Sequence, residues 1–318
     1  MIIDVSIVIV CMNNLKNLYP CLNSIRKYTS VSYETFVVAY LFSRENLEKV
    51  KNEFPWVTFI ESNEIRGFSE NNNLALRKAK GKYCFVVNDD TFIKSSVIDD
   101  LVNTYSILPD NAAIVSPNIL NPDGSIQCCG RPYISWVDYI LLCCKLWKES
   151  KPNKYSNKKG VFQTYNILGA GFLIKTDVFL KVGFFDERYF FSPEDIALST
   201  LLNREGYLCF VNSDVYLYHK GGGTKWSSIV EATRPAGALG ARLFFSDDSK
   251  VKFILISFVI LITKGITSLY YYIKNLLVNK EIFATKAKAF RNVCKAMFSK
   301  KTPKEIFVCY YDKIKNKK

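Results

Sequence analysis

The sequence holds one histidine, His219, and none of its ten cysteines stands in a CxxC spacing. Structural zinc sites need thiolates and imidazoles paired at short intervals, so that class is excluded. The adjacent pairs Cys128-Cys129 and Cys143-Cys144 fit reduced packing thiols. Internal repeats and low-complexity tracts are also missing, which excludes solenoids and long flexible linkers. The opening Met-Ile-Ile-Asp has no basic region, and Asp4 interrupts the apolar stretch of a secretory signal, so a cytoplasmic chain is expected.

Charge imbalance is missing from most of the chain. Of the net +14, nearly all lies between Lys250 and Lys318, where 16 Lys and Arg face only Glu281, Glu305 and Asp312. The first 249 residues are close to neutral, so the ordered motifs lack the basic footprint of a nucleic-acid binder and no nucleic-acid partner is expected. Salt-dependent RNA binding through the tail, without any reaction of nucleotide sugars, would mark that alternative. A length of 318 residues with 49% apolar and 14% aromatic content describes a globular chain: one large α/β domain with an appendage, or two domains.

What is present is a rhythm. The β-branched run Val5–Val10 predicts a buried strand, and Leu15, Leu18, Leu22 and Ile25 at helical spacing predict a helix over Leu15–Tyr28. The alternation continues with strand Thr35–Leu41, helix Asn46–Phe54, strand Val57–Ile60, helix Ser69–Ala79, strand Tyr83–Asn88 and helix Ser95–Ile107. It implies a mixed, mostly parallel α/β sheet covered on both faces. After Asn118 the pattern loosens through a turn at Asn121–Gly124 and a polar loop, Lys148–Lys159. Helices Thr176–Val182 and Pro193–Arg204 and two short strands, Tyr207–Val211 and Val215–Tyr218, follow.

Ligands of such sheets bind outside the carboxyl ends of the strands. Cys11–Asn14, Tyr40–Ser43 and Asn88-Asp89-Asp90 occupy those positions. Carboxylates fixed at the end of an apolar strand need a partner, and a divalent cation shared with phosphate would serve. Capping of the next helix by Asp90 or Thr91 explains the same residues. Ser192-Pro193-Glu194-Asp195 reads first as an ordinary helix start, and otherwise as the source of a general base. Tyr218–Trp226 joins His219, Lys220 and three glycines in a loop that suits a phosphate, or is a surface hairpin.

Val5–Asn13, Gly67-Phe68-Ser69 with Asn71–Asn73, Gly81–Asp90, Gly169–Asp186, and Glu194-Asp195 through Gly206-Tyr207 together resemble family 2 glycosyltransferases, in particular the rhamnosyltransferase-like branch of bacterial surface-polysaccharide synthesis. The resemblance implies a GT-A fold over residues 1–240, with a nucleotide-sugar-binding half (1–117) and an acceptor half (118–240), followed by a basic helical region over 241–318. It implies an inverting, metal-dependent transfer from a nucleoside-diphosphate sugar to a glycan or lipid-linked acceptor. By position, Asp195 would be the base and Glu194 its neighbour at the acceptor. Asp90 and His219 would hold Mg²⁺ or Mn²⁺. Asn13, Gly67, Asn71, Asn88, Asp89, Gly169, Ala170 and Lys220 would meet the donor. Tyr40-Leu41 stands where such enzymes commonly have Asp-Asn, and Ile65 replaces a usual Asn. Both departures fall on the nucleotide side, and they keep a catalytically degenerate, membrane-bound partner subunit as the other reading.

The tail contains the apolar run Phe253–Thr263 between Lys252 and Lys264. Eleven residues fall short of the ~20 that span a bilayer. A helix lying on the anionic cytoplasmic face of the plasma (inner) membrane, or a buried core helix, is expected instead.

Overall fold

The β-branched runs of the first half form the strands that their spacing predicts. The computed structural model describes residues 3–147, 155, 157–221 and 228–316, which divide into two units. The first comprises Met1–Tyr133, Pro152–Asp186 and Glu194–Gly221. In it, β1 (Val5–Cys11), α1 (Leu15–Tyr28), β2 (Tyr33–Tyr40), α2 (Arg44–Glu53), β3 (Thr58–Ser62), α3 (Phe68–Leu76) and β4 (Tyr83–Asn88) alternate. The hairpin strand β5 (Thr91–Phe92), α4 (Val97–Thr104), β6 (Ala112–Leu120) and β7 (Ile126–Cys128) come next. After α5 (Trp136–Cys143), which belongs to the second unit, the first unit resumes with β8 (Val161–Thr164), β9 (Gly171–Lys175), α6 (Thr176–Lys181), α7 (Glu194–Arg204) and β10 (Leu208–His219).

The ten strands form one sheet: eight follow the path β3-β2-β1-β4-β9-β6-β10-β5, and off it β7 pairs with β6 and β8 with β10. β3, β2, β1 and β4 are parallel, as helical crossovers require. β9 runs antiparallel between β4 and β6 and joins this parallel set to the parallel pair β6 and β10. Because side chains alternate along a strand, β1 feeds two cores. Val5, Ile7 and Ile9 pack with Leu18, Leu22 and Ile25 of α1 and Ile98 and Leu101 of α4, while Val8 packs with Leu76 of α3, Phe179 of α6 and Leu202 of α7.

Two expectations change. Tyr207–Val211 and Val215–Tyr218 are one strand, because the polar Asn212-Ser213-Asp214 between them forms a bulge, not a break. Its pairing with β6 shifts register between Asn212 and Tyr216, and Asn212 is satisfied by donating to Thr104 Oγ1 (2.9 Å) and accepting from the Asp214 amide (3.1 Å). The helix expected from Ser95 begins at Val97 and ends in a 3₁₀ turn, Tyr105–Ile107. Of the polar loop at Lys148–Lys159 and the loop ending at Trp226, residues 148–154, 156 and 222–226 lie outside the described residues.

The second unit comprises Ile134–Lys151, Glu187–Pro193 and Gly222–Lys318. Its helices α8 (Val230–Ser246), α9 (Lys250–Val278), α10 (Glu281–Met297) and α11 (Pro303–Lys315) pack α10 on α8 and α9, and α11 on α8. Buried polar groups fix this arrangement: Arg242 donates to the Met297 carbonyl (2.9 Å), Asn292 donates to the Glu231 carbonyl (3.0 Å), and Glu231 pairs with Lys288.

The apolar run at Phe253 is thus part of a 29-residue helix. Among the described residues α9 alone is long and apolar enough to cross a membrane by length and composition, and only 11% of its most apolar window is buried. That removes the buried-core alternative. Phe258, Ile262, Ile266, Leu269 and Ile273, all exposed, fall on one face at helical spacing.

Candidate active site

Asp89 and Asp90 cap no helix. They form a tight turn between β4 and β5, where Thr91 Oγ1 donates back to the Asn88 carbonyl (2.8 Å), and α4 starts only after Ser96. This turn separates the two acids. Asp89 faces Cys11 at the end of β1, where burial above all, with the charge of Asp90 acting in the same sense, pushes its carboxyl up to about 6; the Cys11 thiol lowers it. Asp90 faces the other way, its Oδ1 3.1 Å from His219 Nε2. The pairing of His219 with Thr91 across β10 and β5 brings them together. The neighbouring Lys220 amide donates to the Asp90 carbonyl (3.0 Å), and the Lys220 ammonium is held at the start of α1 by Asn17 Oδ1 (3.1 Å).

Hydrogen bonding fixes the histidine ring. Gln127 on β7 donates through Nε2 to Asn121 Oδ1 (3.0 Å), so its carbonyl oxygen is the end that meets His219 Nδ1 at 2.6 Å. Nδ1 therefore carries the ring proton. Nε2 and Asp90 Oδ1 are then two electron-pair donors facing each other, an arrangement that needs a positive species between them, either a second proton or a metal ion. Among the described residues no group of three or more His, Cys, Asp or Glu is arranged to hold a metal. One nitrogen and one carboxylate fit a hard or borderline divalent ion that fills its remaining positions with phosphate and water.

The second cluster lies at the start of α7. Both acids fall in its first turn, as an ordinary helix start predicts, yet their side chains differ. Asp195 Oδ1 accepts from the Ile196 amide (2.8 Å), whereas Oδ2 accepts from Arg131 Nη1 (2.9 Å) and the Gly169 amide (3.2 Å). Glu194 is half-buried as a residue, but its Oε2 is fully covered and has no hydrogen-bond partner. Burial, reinforced by the charge of Asp195, pushes Glu194 up to about 8. Gly169 packs close to this carboxylate: a Cβ there would lie 3.3 Å from Asp195 Cβ, so Asp195 would have to give by a few tenths of an ångström.

Two hydrogen bonds donated by backbone amides tie the clusters together. The Asn88 amide donates to the Ala170 carbonyl (3.0 Å), and the adjacent Gly169 amide donates to Asp195. Ala170 is buried and serves as this link.

The expected nucleotide-side residues form other groups. Asn13 adopts φ +49°, a left-handed conformation Asn tolerates, and its Oδ1 accepts from the Ser43 amide (3.2 Å) and Asn46 Nδ2 (2.9 Å), clasping the loops after β1 and β2. The Gly67 amide meets Glu70 Oε2 (3.0 Å) at the start of α3. Asn71 is buried and engages the protein itself, accepting from Ser62 Oγ (2.7 Å) and donating to the Arg66 carbonyl (3.3 Å). Tyr40 is buried and accepts from the Arg66 amide through its hydroxyl (3.4 Å).

Sequence reasoning missed Gln127 and Arg131. Each stands 64 residues or more from its partner, in a segment without regular periodicity, and only the sheet brings them to the site. An arginine between Gly130 and Pro132 carries no local signal that it will be buried.

Comparison with known proteins bears on the family and the fold. The model of Glycosyl transferase family 2 matches residues 6–183. Glycosyltransferase GlyG of Streptococcus pneumoniae serotype 4 is 23% identical over 233 residues, covering 69% of this chain and 72% of its own. The crystal structure of GalNAc-T7 with UDP, GalNAc and Mn²⁺ superposes with a TM-score of 0.56 at 18% identity over 70% of this chain; the chain spans 45% of that longer protein. Mannosyltransferase PcManGT from Pyrobaculum calidifontis, in complex with GDP-Man and Mn²⁺, superposes with a TM-score of 0.52 at 16% identity over 99% of this chain and 81% of its own. The sheet with its C-terminal helices is a GT-A fold.

Proposed function

The chain belongs to glycosyl transferase family 2 and uses a nucleotide-sugar donor, and from that premise we propose that it performs inverting, metal-dependent transfer to a hydroxyl of a glycan or lipid-linked acceptor in surface-polysaccharide synthesis. The observation that carries this reading is the pairing of Asp90 with His219, from strand ends far apart in the sequence, in a geometry that a metal ion, or a second proton in its place, would satisfy.

Asp90 and His219 would hold Mg²⁺ or Mn²⁺, which when bound supplies positive charge to the leaving diphosphate. Lys220, beside the same turn, adds a protein-borne cation for the phosphates. Asp195 removes the proton from the acceptor hydroxyl as its oxygen bonds to the anomeric carbon. The bond to the diphosphate oxygen breaks on the opposite face, which inverts the centre. Glu194, its burial favouring the protonated form, offers the acceptor a hydrogen bond. Sequence resemblance favours a rhamnosyl or hexosyl donor. Tyr40-Leu41 and Ile65 leave the base to be recognised by other groups than the usual ones.

We place the second unit on the cytoplasmic face of the membrane. The exposed apolar face of α9 supports contact with lipid, and the basic residues from Lys250 onward support an anionic surface. Lying flat suits α9 better than spanning, since Lys264, at the middle of the helix, would cost ~2.5–3.5 kcal/mol at a bilayer centre, and α10, packed alongside, carries Lys286, Lys288, Arg291 and Lys295.

The test is turnover of a nucleotide-sugar panel (UDP-glucose, UDP-galactose, UDP-N-acetylglucosamine, GDP-mannose and dTDP-rhamnose) by the wild type and Asp195→Asn. Metal-dependent turnover of one donor, lost by about 10²–10⁴-fold in the variant without loss of nucleotide binding, is expected. Near-normal turnover by Asp195→Asn would remove Asp195 as the base, and no turnover of any donor would favour the degenerate partner subunit.

A further inference from the structure

We propose that Arg131 is a positioning residue for transfer: it fixes the Asp195 carboxylate so that Oδ1, and not Oδ2, receives the acceptor's proton. The inference rests on the reading of Asp195 as the base and adds which oxygen acts and what aims it.

Arg131 is held independently of Asp195. Its backbone pairs with Asn166 in both directions (3.2 and 2.9 Å), and its amide also meets Thr164 Oγ1 (2.9 Å). The side chain is equally constrained. Nη1 donates to the Ile167 carbonyl at 2.9 Å and to Asp195 Oδ2 at 2.9 Å, so the backbone of the strand-like segment before Gly169 sets the orientation of the guanidinium. Both side chains are mostly covered, 8% exposed for Arg131 and 15% for Asp195, so water competes little for the bond.

The count of donors then distinguishes the two oxygens. Each carboxylate oxygen offers about two lone-pair positions. Oδ2 has both engaged, by Arg131 Nη1 and the Gly169 amide, while Oδ1 has one engaged, by the Ile196 amide. Oδ1 keeps the open position. The proton leaves the acceptor oxygen for that lone pair as the new glycosidic bond forms. The ionisable groups named beside Asp195 are Arg131, whose guanidinium meets Oδ2, and Glu194, and the arginine is the one that holds the carboxylate in place.

A buried ion pair can also be structural only, satisfying two charges without bearing on the reaction. The two roles separate experimentally. The full-length wild type, Arg131→Gln, Arg131→Lys, Asp195→Asn and the Arg131→Gln/Asp195→Asn double variant are assayed for metal-dependent hydrolysis of whichever sugar nucleotide of the panel above the wild type turns over fastest. Binding of the matching nucleoside diphosphate with Mn²⁺ is measured by calorimetry. Positioning predicts that Arg131→Gln loses about 10²-fold in kcat with diphosphate affinity retained, and that the acid limb of its pH–rate profile moves to higher pH, because removing a neighbouring cation raises a carboxylate's pKa. Arg131→Lys should recover part of kcat, and adding Asp195→Asn to Arg131→Gln should cost little more, since groups that act as a unit are not additive. Unchanged kcat and an unchanged acid limb in Arg131→Gln, alongside an inactive Asp195→Asn, would overturn the proposal and leave the base assignment standing. An active Asp195→Asn would instead overturn the base. If Arg131→Gln fails to bind the diphosphate, Arg131→Lys decides: wild-type kcat and acid limb in that variant refute positioning by the guanidinium, and reduced kcat with intact binding supports it.

Discussion

At the residue scale, the site works by fixing which atom of each side chain is available. Gln127 is the plainest case, since its amide, anchored by Asn121, dictates that His219 presents Nε2 to Asp90. Gln127→Leu should weaken Mn²⁺ binding by about 10–100-fold, the usual cost of removing a group that orients a metal-binding histidine. Titration with Mn²⁺ followed by paramagnetic resonance checks this, and unchanged affinity would mean that Gln127 does not orient the ring. Glu194 makes a different prediction. Its carboxyl is raised from an ordinary 4.5 to about 8 by burial first and Asp195 second, so the folded protein binds a proton there that the unfolded chain has already released. That stability is present at about pH 4.5 and is lost as pH rises to about 8. Glu194→Gln should therefore melt higher than wild type at about pH 8 and show a flatter pH dependence; parallel melting curves across that range would refute it.

At the scale of elements, the strand ends that carry the chemistry depend on close packing at the opposite ends. Gly81, just before β4, donates to Ser6 Oγ (2.8 Å) and accepts from Thr176 Oγ1 (2.7 Å). A Cβ there would lie 2.5 Å from the Ser6 amide nitrogen and 2.7 Å from the Val5 carbonyl carbon, both backbone atoms. Gly81→Ala should cost about 1–3 kcal/mol, read by urea denaturation, and a variant as stable as wild type would show that β1 and β4 can part. The alternating strands and helices as far as β4 were legible because each crossover repeats one periodicity; α1 runs over Leu15–Tyr28 and β4 over Tyr83–Asn88, as expected. β9 was not read as a strand, and nothing in Gly171–Lys175 distinguishes an antiparallel strand from a parallel one. For the candidate site, position was legible where residues sit at strand or helix ends, as with Asp90, Asp195 and His219. It was illegible at Gln127 and Arg131, whose roles arise from pairing across the sheet, and at Asn71, whose side chain turned out to serve the Ser62–Arg66 loop.

At the scale of the whole molecule, charge and apolar surface are concentrated in the second unit. Phe258, Ile266 and Leu269 are each more than half exposed on one face of α9. The full-length protein should float with vesicles containing phosphatidylglycerol, release them as salt is raised, and lose most of that binding in the triple variant Phe258→Ser/Ile266→Ser/Leu269→Ser. Equal flotation of the triple variant would remove α9 from membrane contact. The catalytic unit poses a separate question, how one framework can serve many sugars. The hydrogen bonds from Asn88 to Ala170 and from Gly169 to Asp195 make the turn entering β9 a ruler between Asp90 and Asp195, the ends proposed for the leaving group and for the acceptor's proton. A slip of one residue along that strand would turn every side chain to the other face. On the proposed function, donor choice would then drift at the end of β2 and in the loop after β3, at Tyr40, Leu41 and Ile65, while the reach between departure and attack stays constant.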